Sequence, residues 1–173
     1  IIAGVDWVTA NHVKPAVANM SLSGPVTQAL DDAVAASINA GVAYVIAAGN
    51  DSGNACSKSP SRTPAAVTVG ATTNTDGRAW FSNYGSCVDL FAPGQEITSA
   101  WYTTDTSTYV ASGTSMAAPH VAGAAARYLE GHPQATPAEV ATALLSNATP
   151  DRIPNPRSVS PNKLLYATCF GSY

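Results

Sequence analysis

Ser115 has the setting of a nucleophile. The stretch Ser112-Gly113-Thr114-Ser115-Met116-Ala117-Ala118-Pro119-His120-Val121-Ala122-Gly123 follows an extended segment ending at Tyr109-Val110-Ala111. It opens an Ala- and Val-rich run, 117–129, interrupted by His120 and Arg127. Such a run reads as a buried helix, because small side chains let neighbouring elements approach on every side. Ser115 then lies where loop becomes helix. Backbone N–H groups there lack intrahelical acceptors and the dipole is positive, so a nearby oxyanion is stabilised. Pro119 fits the first turn, which has no acceptor for the N–H that proline lacks. A serine in this place is also a common helix cap, so position alone leaves cap and nucleophile both open.

Acyl transfer needs donors for the tetrahedral oxyanion as well as a nucleophile. Asn50 is the candidate. It closes Ala47-Ala48-Gly49-Asn50, directly after the apolar run 42–48. An Asn after Gly is an ordinary turn residue. The carboxyl end of a buried parallel strand is also where open α/β sheets place their sites.

Together these residues resemble a known family. Gly113-Thr114-Ser115-Met116-Ala117-Ala118-Pro119-His120-Val121-Ala122-Gly123 closely resembles the nucleophile signature of the subtilisin-like serine peptidases, the subtilases. The resemblance implies that Ser115 is the nucleophile and that His120 is a structural helix residue, not the base. Ala47-Ala48-Gly49-Asn50 resembles the family's oxyanion motif, which implies that the Asn50 amide and the Ser115 N–H face the developing charge. Ser21-Leu22-Ser23-Gly24 resembles the substrate-binding strand, with Ala47, Ala48 and Gly49 as the opposite wall of the primary pocket. Strand addition suits a peptide or protein substrate, since main-chain hydrogen bonds bind whatever the side chains. The family usually carries Gly where Ser23 stands and often another at Pro25, so the pocket rim departs from the pattern.

The segment 50–93, with Phe81-Ser82-Asn83-Tyr84-Gly85 and Asp89-Leu90-Phe91-Ala92-Pro93-Gly94, most resembles the proteinase-K-like branch of thermophilic and marine bacteria. Three cysteines without zinc-ligand spacing read by themselves as a disulfide and one odd thiol, and point to an oxidising compartment. The resemblance implies that Cys56 and Cys87 are the bonded pair and that Cys169 joins neither. It also implies a structural calcium site made by Asp89 and the carbonyls of Pro64 and Ala66, oxygen ligation that suits this ion. Without the resemblance, Asp89 reads equally as a buried, hydrogen-bonded carboxylate.

Subtilases run Asp, then His, then Ser along the chain. Upstream of Ser115 there is no Asp-Thr/Ser-Gly and no Gly-His-Gly-Thr-His. The three histidines, His12, His120 and His132, lack the family's context. The expectation is therefore the C-terminal portion, 1–173, of a single subtilase catalytic domain. Its remaining partner is the N-terminal part of that domain, with the Asp and His. The function expected is a secreted, extracellular serine endopeptidase whose isolated chain is nearly inactive. The alternative is a peptide-binding remnant that keeps the groove without the triad. An α/β-hydrolase elbow is excluded, because it needs Gly where Ala117 stands.

The elements that must position these residues follow from periodicity. Apolar residues at 1, 2, 5 and 8 predict a helix with no capping residue before it. Residues 13–20 predict a strand, and 27–40 a helix with Ala29, Leu30, Ala33, Val34, Ser37 and Ile38 on one face and Gly41 as its stop. The run 42–48 suits a strand buried on both faces. Strand, helix and strand make a βαβ unit, hence a parallel sheet with helices on both faces. Residues 67–71 and 88–91 predict further strands, with a polar loop at 72–84, and 97–101 with 108–110 a hairpin. Thr136-Pro137-Ala138-Glu139 is a capping box that starts a helix reaching about Asn147. The proline-rich stretch 149–161 reads as an irregular surface loop, and 162–166 as a last strand.

Hydrophobic residues make up 46% of the 173 and charged residues 11%, a composition for an ordered core. A net charge of −3 without a basic cluster argues against nucleic acid and anionic membranes as partners. The run 42–48 is too short to span a bilayer.

Overall fold

The computed structural model describes residues 1–168. Its centre is a six-stranded sheet built of β1 (Ala16–Met20), β2 (Val42–Ala47), β3 (Val67–Thr72), β4 (Leu90–Pro93), β7 (Thr149–Pro150) and β8 (Lys163–Leu164). The spatial order is β1-β2-β3-β4-β8-β7, parallel throughout except for the β7–β8 pair. α1 (Ile2–Asn11) and α2 (Gln28–Asn39) cover one face, α3 (Thr114–Gly131) and α4 (Pro137–Asn147) the other. β5 (Ile97–Ala100) and β6 (Thr108–Ala111) form a separate antiparallel hairpin that leads into α3.

β2 shows why its sequence is apolar without alternation. All six of its residues are buried. Val42, Tyr44 and Ile46 pack with Val34 and Ile38 of α2, while Ala43, Val45 and Ala47 join the core formed with α3 and α4. The alternating faces of a strand thus both meet a helix layer. α3 can lie close on the sheet because Ala117, Ala118, Ala124 and Ala125 are its buried contacts. In α4, Thr136 and Glu139 make the reciprocal capping box, and Val140 and Leu144 are buried. A cap contributes about 0.5–2 kcal/mol and each buried aliphatic side chain about 1.5–3 kcal/mol.

Four local expectations are corrected. Pro119 is the sixth residue of α3, inside the helix and not in its first turn, and the Ser115 carbonyl that it leaves without an N–H accepts from Ser21 Oγ instead. In α2 the buried residues are Leu30, Asp31, Val34, Ser37 and Ile38, and Ala29 is exposed. Asp31 turns inward because Ser59 Oγ (2.9 Å) and Arg62 Nε (2.5 Å) both donate to its Oδ2. β4 begins at Leu90, not Val88, since Val88 N–H turns back to the Gly85 carbonyl. The stretch 149–161 is not wholly surface: Thr149–Pro150 joins the sheet, and Ile153 is buried, its backbone paired with the Asn162 side chain.

Candidate active site

The carboxyl ends of β1 and β2 and the amino end of α3 meet at one place. Ser115 is the second residue of α3, after Gly113 as N-cap and Thr114. Its N–H therefore belongs to the turn without intrahelical acceptors. The Ser115 hydroxyl is half-buried and donates to the Ser21 carbonyl at 3.2 Å, while Ser21 Oγ donates to the Ser115 carbonyl at 2.8 Å. These reciprocal bonds join the chain after β1 to the first turn of α3. A cavity of about 320 Å³ opens beside Ser115, lined by Ile97, Thr98, Ser99, Met116, Pro119 and His120.

Asn50 is brought to the same helix end. Its Oδ1 accepts from the Thr114 N–H at 2.8 Å and from Thr114 Oγ1 at 2.9 Å. Two donors on one atom identify it as the carbonyl oxygen and so leave the NH₂ as the outward end. Where a Cβ would stand on Gly113, the Asn50 Nδ2 is 3.5 Å away. An amide donor and the helix N-terminus thus share one corner, the arrangement that holds an oxyanion.

The expected pocket walls are close together. A Cβ on Gly49 would lie 3.0 Å from Ser23 Oγ and would collide with Asn83 Nδ2. Gly49 also has φ +101°, so glycine is demanded both by space and by backbone. The backbone of Ala47, Ala48 and Gly49 is spent internally: Ser61 Oγ, Asn83 Nδ2 and Asn83 N–H donate to their carbonyls in turn. This wall is rigid and offers surface, not pairing groups. On the other wall Gly24 exchanges both backbone bonds with Ser59, at 2.9 and 3.2 Å, which anchors the end of Ser21-Leu22-Ser23 away from Ser115. Asn83, which the sequence offered only as part of a family signature, touches residues on both sides of Asn50.

No histidine among the described residues is hydrogen-bonded to Ser115. His12, His120 and His132 each turn Nδ1 to a carbonyl of their own helix, at Val8, Met116 and Tyr128. His120 borders the cavity beside Ser115 but is held by its own turn.

Asp89 is mostly buried at the mouth of β4. Its Oδ2 accepts the Thr68 N–H at 2.7 Å, and its own N–H donates to the Thr68 carbonyl at 2.9 Å. Burial pushes its carboxyl up to about 6, against the opposing pull of the Thr68 N–H and Lys163. Pro64 and Ala66 lie just before Thr68 in the chain, and a carboxylate with backbone carbonyls is the kind of oxygen ligand that Ca²⁺ takes. Among the described residues no three His, Cys, Asp or Glu side chains gather as a metal cluster.

Cys56 and Cys87 are joined, with Cα atoms 5.2 Å apart, and Cys169 lies outside the described residues. The bond closes a loop spanning 31 positions, worth about 3–4 kcal/mol on the chain-entropy account. Cys56→Ser with Cys87→Ser should lower the unfolding free energy by about that much in urea titrations of the full-length protein. A loss below about 1 kcal/mol would show that this loop is held by its other bonds.

Comparison with known proteins agrees with this architecture. The sequence model of the subtilase family (Peptidase_S8) matches residues 1–168, and the chain belongs to that family. It is 65% identical over 166 residues to an extracellular serine proteinase of Thermus sp. (strain Rt41A), covering 96% of this chain and 40% of that protein. It is 52% identical over 167 residues to alkaline serine exoprotease A of Vibrio alginolyticus, covering 96% of this chain and 31% of that protein. A solved cold-adapted subtilisin-like serine proteinase superposes with a TM-score of 0.92 at 52% identity, covering 96% of this chain and 60% of that one. The chain thus spans less than half the length of the curated relatives and a little under two thirds of the solved one.

Proposed function

We propose that this chain is the nucleophile-bearing, C-terminal part of the catalytic domain of a secreted serine endopeptidase. Ser115 Oγ attacks the scissile carbonyl, and a base takes its proton. The oxyanion rests between the Asn50 NH₂ and the Ser115 N–H. Return of the proton to the leaving amine gives an acyl-enzyme, which water then hydrolyses. Base and orienting acid are a His and an Asp on the N-terminal part of the same domain, the chain's principal partner. The observation that carries this reading is the pair of bonds from Thr114 to Asn50 Oδ1, which turns the donor end of the amide outward at the helix end bearing Ser115. Export is supported by the printed name of the Thermus relative and by the disulfide.

The substrate is a peptide or protein laid as a strand along Ser21, Leu22 and Ser23. No nucleic acid or membrane partner is proposed. None of the described helices is long and apolar enough to cross a membrane. A second reading, a peptide-binding remnant, rests on the Ser115 hydroxyl donating to Ser21 and to no histidine among the described residues. Fluorophosphonate labelling with site mapping separates the two. Labelling at Ser115 once the N-terminal segment is present supports the peptidase, and none in full-length protein supports the remnant.

Calcium at Asp89, Pro64 and Ala66 is a structural proposal. When bound, the ion would hold the buried Asp89 carboxyl in its charged form. Because metal stabilises only the form that binds it, chelation should lower the melting temperature of the full-length protein. In Asp89→Ala the shift on chelation should shrink by the share this site contributes. An equal shift in wild type and variant would remove the site from consideration.

A further inference from the structure

We infer that Asn83 is a positioning residue for the oxyanion-binding amide of Asn50, an inference that rests on the reading of Asn50 just given. Asn83 is fully buried and touches neither Ser115 nor the substrate strand in any hydrogen bond. Its carboxamide instead spans the loop that carries Asn50. Oδ1 accepts from the Asp51 N–H at 3.1 Å and the Gly53 N–H at 2.8 Å, and Nδ2 donates to the Ala48 carbonyl at 2.8 Å. The Asn83 N–H adds a bond to the Gly49 carbonyl at 2.9 Å. The chain is therefore clamped on both sides of Asn50 by one residue, while among the described residues the Asn50 side chain is hydrogen-bonded only to Thr114.

The clamp has a defined sense. Two N–H groups on one end and a carbonyl on the other admit only one orientation of the Asn83 amide. It is also braced from behind: Ser82 Oγ donates to the Asn83 carbonyl at 3.0 Å and accepts from the Ala71 N–H of β3 at 2.9 Å. Arg78 Nη1 donates to the Ser82 carbonyl. A rigid strand thus sets Asn83, and Asn83 sets the backbone from which the Asn50 amide projects. Oxyanion stabilisation depends on donors fixed in advance at the place where charge develops. Loosening the loop misplaces one of those donors, and it also frees the Ala48 and Gly49 wall that the same residue holds.

A merely structural residue would also cost stability when changed, so the test is a double-mutant cycle. In the full-length enzyme, Asn83→Ala and the isosteric Asn83→Asp are each made alone and with Asn50→Ala, and assayed well below their melting temperatures. Asn83→Asp keeps an acceptor for Asp51 and Gly53 and loses the donor to Ala48, so it serves if Asn83→Ala does not fold. Either change should lower kcat about tenfold and weaken a peptide aldehyde that forms a tetrahedral adduct by a similar factor. Any rise in KM comes from the Ala48 and Gly49 wall and should be the same with and without Asn50→Ala. In the Asn50→Ala background the same change should alter kcat by less than about twofold, because the donor it positions is gone. The same fold-loss in both backgrounds would overturn the positioning role alone. An Asn50→Ala variant that keeps its kcat would overturn the oxyanion reading and this inference with it.

Discussion

Ser115→Ala in the full-length enzyme is expected to lower kcat for peptide hydrolysis by about 10⁶-fold, the loss when a serine and its base act as one unit. That magnitude is known for subtilisin, a member of this family. KM should change little, since alanine keeps the fold of the helix end. The residual rate comes from the oxyanion donors and from binding. The isolated 1–173 chain should behave almost like that variant even with Ser115 intact. A serine hydroxyl is unreactive without a base, and in this chain it donates to the Ser21 carbonyl instead of to a histidine. Rates of fluorophosphonate labelling, with the modified residue mapped, check both statements. Brisk labelling of the isolated chain would mean that it contains a base, with His120 beside the cavity the first to test.

Asn50→Ala should lower kcat about 10²–10³-fold with KM nearly unchanged, because its donor acts on a charge present only in the transition state. This too is the size known for the equivalent kind of donor in subtilisin. The substitution has a second effect. It strips the acceptor from the Thr114 N–H and Oγ1, and an unsatisfied buried group costs about 1–3 kcal/mol. Asn50→Asp separates the two effects: it restores an acceptor for Thr114, yet places a carboxylate oxygen where the amide donor stood. Its melting temperature should recover toward wild type while kcat stays as low as in Asn50→Ala. Steady-state kinetics and thermal melts on the three proteins decide the matter. If kcat of Asn50→Ala stays within about threefold of wild type, Asn50 is a turn residue that holds Thr114 and no more.

Much of this molecule is legible without coordinates, and the legible parts are those set by neighbours in the chain. The capping box at Thr136 and Glu139, the run 42–48 that is buried on both faces, and the loop-to-helix passage at Ser115 each depend on a few adjacent residues. Helix and strand periodicity report which face an element buries, provided that the face is apolar. That proviso explains Ala29 and Asp31. The inward carboxylate of Asp31 is satisfied by Ser59 and Arg62, some thirty positions away, and no local pattern announces such partners. Ile153 is hidden in the same way, since Asn162 folds back on its backbone from across a proline-rich loop.

The candidate site divides along the same line. Its residue types, Ser115 and Asn50, are visible in two short motifs, because reactive groups are carried by local turns at element ends. What those groups do depends on contacts that are far apart in sequence. Thr114 reaches Asn50 over a separation of 64 residues and so decides which end of the amide faces outward. Asn83 reaches Ala48 over 35 and ties the loop on both sides of Asn50. A hydrogen bond fixes direction only when both partners are in place, and the parallel sheet alone brings these loops to one edge. The sequence by itself therefore determined which groups this protein has and which elements carry them; the tertiary structure decided where each donor points, because orientation is a property of pairs.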